Sequence, residues 1–233
     1  PVNDILYLQK TMFIGHYGIA LAAKRVDKNI SLGLLFFATQ FADILFFLLV
    51  LLGIEKMSFA PGITKVSPLD FTYYPYSHGL AATLLWAGLF FAASKIAPSK
   101  PDSNKNKIAL AMGATVLSHF LLDAIVHRAD LPLLGGDSYK IGLGLWNYVF
   151  ASSLIELLIF LSGLWMYLKS TKGATFIGRY GMIIFSIFVT VMWMASLLAP
   201  DPSDFNIKGF AIFGLLFQLI VIGIVSWFDR RRI

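Results

Sequence analysis

The residues of this chain able to do chemistry are few, and they interrupt otherwise apolar stretches. The sharpest pattern is Ser118-His119-Phe120-Leu121-Leu122-Asp123-Ala124-Ile125-Val126-His127. Residues four apart share one helical face, so His119, Asp123 and His127 predict a single polar stripe, which Asp130 continues. Imidazole nitrogens and a carboxylate oxygen on one face are ligands for zinc or a similar divalent ion. His16, Asp43 with Gln40, His78 and Glu156 are further polar groups inside apolar runs. Ionisable groups at such positions are costly and usually functional. The predicted metal ligands are therefore His16, Asp43, His78, His119, Asp123 and His127. Asp123, Asp43 and Glu156 are the carboxylates able to act as general base.

Plainer roles compete at several positions. A lone histidine can simply hydrogen-bond a neighbouring helix, and Gln40 suits that role. Tyr73, Tyr74, Tyr76, Trp146 and Tyr148 read as an aromatic interface belt. Asp130 reads as a solvated residue or cap of an outer loop.

Seven apolar runs must position these groups, roughly 5–23, 31–53, 78–97, 107–127, 146–168, 180–199 and 210–228. Each approaches the ~20 residues that cross a bilayer as a helix, and lipid demands the internal hydrogen bonding that helices provide. All nine prolines fall outside these runs. The expected fold is an all-α polytopic membrane bundle of about seven spans in a single domain, with metal-site helices over about 5–168 and additional helices over about 180–228. Lys and Arg number thirteen in the connections on one side and six on the other. The positive-inside rule then predicts an outer N-terminus and a cytoplasmic C-terminus. On this reading His127 lies near the outer surface, His119 about 12 Å deeper and Asp43 about 15 Å deep, so the polar groups gather in the outer half of the membrane.

Composition agrees. The chain is 58% hydrophobic and only 14% charged, far from the balance of a soluble domain. It has no cysteine, which excludes disulfides and thiolate metal sites. The net charge of +6 sits in short loops as topology signals, so nucleic acid is not an expected partner. No charged leader precedes a short apolar core, so no cleavable signal peptide is expected.

Gly15-His16, Asp43, Ser77-His78 and Ser118-His119 with Asp123 and His127 resemble the predicted membrane-bound metal-dependent hydrolases of the YdjM type. More remotely they resemble the zinc-dependent phospholipase C and P1 nuclease group. The resemblance covers roughly residues 10 to 160. It implies a bacterial inner-membrane location and His16, Asp43, His78, His119 and Asp123 as ligands. The Pro-Asp-x-Asp turn common in the family is absent, and Asp43 stands alone. The expected function is hydrolysis of a lipid or lipid-linked ester or phosphoester from the outer side, with zinc as cofactor and membrane lipid as partner. A proton or metal-ion transporter would use the same groups. A non-catalytic subunit could dock through the last two helices. A retinal protein is excluded, because Lys208 only opens the last run.

Overall fold

The computed structural model describes residues 14–98, 100–199 and 205–232. The first part of the first predicted span, with Gln9 and Lys10, lies outside the described residues.

The chain is mostly helical. Helices α1 (Ile14–Ala23), α2 (Leu32–Thr39) and α3 (Phe41–Leu51) precede a hairpin of β1 (Lys56–Phe59) and β2 (Leu69–Tyr73). Then come α4 (Leu80–Ile96), α5 (Lys105–Val126), a small pair β3 (Leu131–Pro132) and β4 (Lys140–Ile141), and α6 (Val149–Ser170), α7 (Phe176–Leu198) and α8 (Ile207–Asp229). Three of the long helices start on side-chain caps that satisfy orphan N–H groups. Asn104, Thr175 and Asn206 accept from the backbones of Lys107, Gly178 and Gly209.

Among the described residues four helices, α5 to α8, are long and apolar enough to cross a membrane, or five spans if the bent pair α2–α3 counts as one. That is fewer than the seven expected from hydropathy, and the reasons are local. Only ten residues of the first run are described as helix. The second run breaks by 55°. The third yields a helix of 17 residues, because His78 and Gly79 are spent in the turn that precedes it. The fold is also not purely helical. In β1–β2, Met57 pairs with Phe71 and Phe59 with Leu69, the period-two alternation that suits a pleated strand. The outward faces carry Leu84, Leu85, Leu121, Ile184, Ile187 and Ile220, each more than half exposed. Apolar surface of that extent calls for lipid rather than water, and the chain is compatible with an integral membrane protein.

The bend between α2 and α3 has a chemical cause without proline. Thr39 Oγ1 bonds back to the carbonyls of Leu35 and Phe36 at 3.1 and 3.0 Å, a local competition that bends helices. Gln40 occupies the vertex and accepts from Gln218 Nε2 of α8 at 2.7 Å, the interhelical bond its type suggested. Tyr17 of α1 donates to Gln218 Oε1. One buried core runs through the helices, from Ile14 and Leu35 to Val189 and Val225, so α7 and α8 share it with the helices that carry the histidines.

Helix α1 lies along α6 through two glycines. A Cβ on Gly163 would fall 2.0 Å from the Gly18 carbonyl oxygen, and one on Gly18 would fall 2.5 Å from that of Ile159. Gly163→Ala should cost about 1–3 kcal/mol through overpacking, read as a lower thermal unfolding midpoint in detergent. Gly223→Ala, whose Cβ would meet nothing within 4 Å, sets the baseline. Equal midpoints for the two variants would show that α1 and α6 do not depend on this contact.

Candidate metal centre

Five polar side chains from four elements converge beside the α2–α3 bend. His16 comes from α1, Asp43 from α3, His78 from the turn before α4, and His119 and Asp123 from adjacent turns of α5. All but Asp43 have side chains only 3–6% exposed, whereas Asp43 keeps 28%. Asp43 also lines a narrow crevice with Phe46, Phe47, Phe71, Phe210 and Gln218. It is the ligand candidate that an incoming molecule reaches first.

The protonation pattern is set by what each histidine touches on its far side. His119 Nδ1 lies 2.6 Å from the Thr39 carbonyl oxygen. A carbonyl only accepts, so Nδ1 carries the proton and Nε2 is left with a lone pair in the neutral ring. His78 Nδ1 lies 2.8 Å from Ser77 Oγ. That hydroxyl donates to Glu55 Oε2 at 2.6 Å, and a carboxylate likewise only accepts. Ser77 Oγ therefore receives the Nδ1 proton of His78, and Nε2 of that ring is again the lone-pair atom. Glu55 is fixed in turn, because its Oε1 accepts from the backbones of Tyr76 and Ser77 at 2.8 and 3.0 Å.

The two lone-pair nitrogens face each other at 3.3 Å. Two acceptors at that distance repel unless a cation lies between them, either a proton on one ring or a metal ion shared by both. The acids supply compensating charge. Asp43 Oδ1 is 3.4 Å from His78 Nε2 and 3.7 Å from His119 Nε2. Asp123 Oδ2 is 3.7 and 3.2 Å from the same two atoms, yet it makes no hydrogen bond among the described residues. A tetrahedral ion with bonds of about 2.0–2.1 Å has donor–donor edges of about 3.3–3.4 Å. The donors form two triangles of nearly that size, sharing the His78–His119 edge. His16 stands on the other side of Asp123, with Nε2 3.4 Å from Oδ1, and its ring lies 4.2 Å from that of His119. His16, His119 and Asp123, and likewise Asp43, His78 and His119, form groups that could hold a metal ion.

The structure does not bring His127 to this cluster. The predicted stripe needs helix through residue 127, but α5 ends at Val126 and His127 is its C-cap in extended conformation. Its Nδ1 instead lies 3.1 Å from Asp130 Oδ1, and Trp146 packs on its ring at 4.4 Å. Asp130 is buried, not a solvated loop residue. It accepts from Tyr74 Oη at 2.9 Å and Arg128 Nε at 3.1 Å. Burial, and then the Asp130 charge, push the Tyr74 phenol well above its ordinary range, so Tyr74 stays a donor. Tyr74 and Trp146 are thus core residues around His127, while Tyr76 and Tyr148 remain exposed as the belt reading expects. Glu156 also stands apart. It is buried on α6, 3.4 Å from Ser152 Oγ, and lies beside the Ile14 backbone and Trp193.

Sequence reasoning missed Glu55 and the Thr39 carbonyl. Glu55 sits 22 residues before Ser77 in the connection between α3 and β1, with no periodic signal to mark it. The chain matches no family model, and neither a curated protein nor a solved structure matches it.

Ser77→Ala removes the acceptor for the His78 Nδ1 proton and frees the ring to adopt the other tautomer. Divalent-ion affinity should then fall about 10–100-fold, measured by competition with a chelating dye while circular dichroism stays unchanged. Undiminished affinity would remove Glu55 and Ser77 from the support of the site.

Proposed function

We propose that this chain is a membrane-embedded metal-dependent hydrolase acting on a lipid or lipid-linked ester or phosphoester. The observation that carries this reading is the pair of Nε2 lone pairs, 3.3 Å apart, flanked by Asp43 and Asp123. A proton on one ring would bridge the two nitrogens alone, whereas a metal ion satisfies both and the Asp123 oxygen together. The donor set of two or three imidazoles and two carboxylates suits zinc. His78, His119 and Asp123 would hold the ion, with His16 beside Asp123 and Asp43 facing the position left open. When bound, such an ion supplies Lewis acidity toward an ester or phosphoester oxygen and acidifies water at an open position to a pKa of about 7.

The residues divide the remaining work. Asp123 is clasped between His16 and His119, so its role is to hold charge and geometry. Asp43, partly open to the crevice, is placed to take a proton from attacking water. Phe46, Phe47, Phe71 and Phe210 line that crevice, whose free space of about 20 Å³ admits about one water, and they give the approach to Asp43 an apolar character. Glu156, away from the cluster, is not assigned a step. This reading agrees with the resemblance to membrane-bound metal-dependent hydrolases of the YdjM type and with a bacterial inner membrane.

We place the hairpin end outside and the end rich in Lys and Arg in the cytoplasm, following the loop charges. The chain contains no cysteine, so single Lys65→Cys and Lys172→Cys variants test this cleanly. In intact cells a membrane-impermeant maleimide should label the first and spare the second. The reverse pattern overturns the orientation.

Purified protein should contain zinc, and His119→Ala should release it and abolish hydrolysis of phosphodiester or ester lipids in mixed micelles. Asp43→Asn should lower kcat about 10²–10⁴-fold. Protein that neither contains nor binds a divalent ion sinks the proposal. Bound zinc without turnover would favour the non-catalytic subunit, and ion flux in liposomes lost with Asp43→Asn would favour the transporter.

A further inference from the structure

The opposite end of the bundle holds a second polar cluster, which the metal chemistry does not use. Helices α2 and α3 run between the two ends. α2 starts where the Leu32 N–H meets Asp229, and α3 finishes just before the β1–β2 hairpin. Four connections meet at the α2 end. Asn29 donates to Asp102 at 3.2 Å, and the Asn104 backbone donates to Asp27 at 3.1 Å. Lys24 Nζ lies 2.7 Å from Asp229 Oδ2. Arg232 Nε donates to Thr171 Oγ1 at 2.8 Å.

These connections enclose a pocket of about 290 Å³ lined by Lys24, Lys28, Lys100, Arg232, Asp102 and Thr171. It lies at the small end of the range of ligand pockets, about 300–1,000 Å³, and suits a compact polar group rather than a whole lipid. Its charges do not cancel. Lys24 is buried and neutralised by Asp229. Lys28 meets Asp102 only at 3.8 Å, with both side chains more than half exposed. Among the described residues no carboxylate pairs with Lys100 or Arg232. The Arg232 guanidinium donates to the Thr171 hydroxyl and to the carbonyls of Thr171 and Gly178. Those groups satisfy its N–H donors and leave its positive charge in place. The surrounding connections carry thirteen Lys and Arg against three acids, Asp27, Asp102 and Asp229. A concave site inside so uneven a field concentrates anions.

We infer that this pocket binds a phosphate-type anion, whether the phosphodiester headgroup of an acidic lipid in the adjoining leaflet or free phosphate. Basic pockets between membrane helices on the cytoplasmic side hold anionic headgroups in this way. Lys28 and Lys100, the exposed cations, make the direct contacts. Lys24 and Arg232, held by Asp229 and Thr171, supply a fixed positive wall.

The test uses the full chain in nanodiscs of phosphatidylcholine alone or mixed with phosphatidylglycerol, read by thermal unfolding midpoint. Lys28→Ser with Lys100→Ser removes the pocket cations. Lys95→Ser with Lys107→Ser removes equal charge from the same end outside the pocket. Phosphatidylglycerol should raise the midpoint of the parent and the control, and apparent lipid affinity should fall about fivefold for each pocket charge removed. In phosphatidylcholine discs, inorganic phosphate at an ionic strength matched with chloride forms the second arm. Stabilisation by phosphate that the pocket variants abolish, with no added effect of phosphatidylglycerol, assigns a soluble source. Stabilisation by the lipid with little from phosphate assigns the headgroup. Equal losses in the pocket and control variants, or no stabilisation by either anion, overturn the inference.

Discussion

The site depends on two imidazoles being unable to choose their own tautomers. Thr39 offers His119 a carbonyl, and Glu55 acts through Ser77 to offer His78 an oxygen already committed as a donor elsewhere. Both partners can only accept from the histidine, so both Nδ1 atoms carry protons and both lone pairs point inward. Facing lone pairs cost energy in a buried, low-dielectric setting. That cost is tolerable only where a cation is held, and the flanking carboxylates make the same demand from the other side. Outer supports of this kind orient the ligands of a metal and tune its affinity.

The helical breaks serve this arrangement. The bend at Gln40 frees the end of α2 from the regular ladder, where the last carbonyls lack partners within their own helix, and one of them, that of Thr39, reaches His119. The chain then leaves α3, forms the β1–β2 hairpin and returns at Tyr76 and Ser77, where Glu55 receives both backbones. A straight second span would bring neither support to its histidine. The termination of α5 at Val126 has the opposite effect on His127, turning it into a separate aromatic and carboxylate network with Asp130, Tyr74 and Trp146.

Much of the site was legible in the sequence, because its ligand candidates are polar residues in apolar company and His119 and Asp123 sit four apart within one helix. His16, Asp43 and His78 were legible for the same reason, although nothing in their spacing says that they meet. The parts that escaped depend on chain direction rather than residue type. His127 looked equivalent to His119 because periodicity does not reveal where a helix stops. Glu55 drew no reading from the sequence because its partner lies 22 residues away. The described helices do not support seven spans, for a related reason. Hydropathy measures apolar content over a window, and it does not register the break at Gln40 or the turn before Leu80.

The bond between Gln40 and Gln218 makes the last helix part of the geometry of the first ligands. Gln40 is the vertex of the bend, so the angle between α2 and α3 and the seating of α8 form one mechanical variable. A bilayer whose thickness alters the tilt of α8 would pull on that vertex, and with it on the carbonyl beneath His119. Bilayer thickness would thereby reach the candidate metal centre through a single pair of amides.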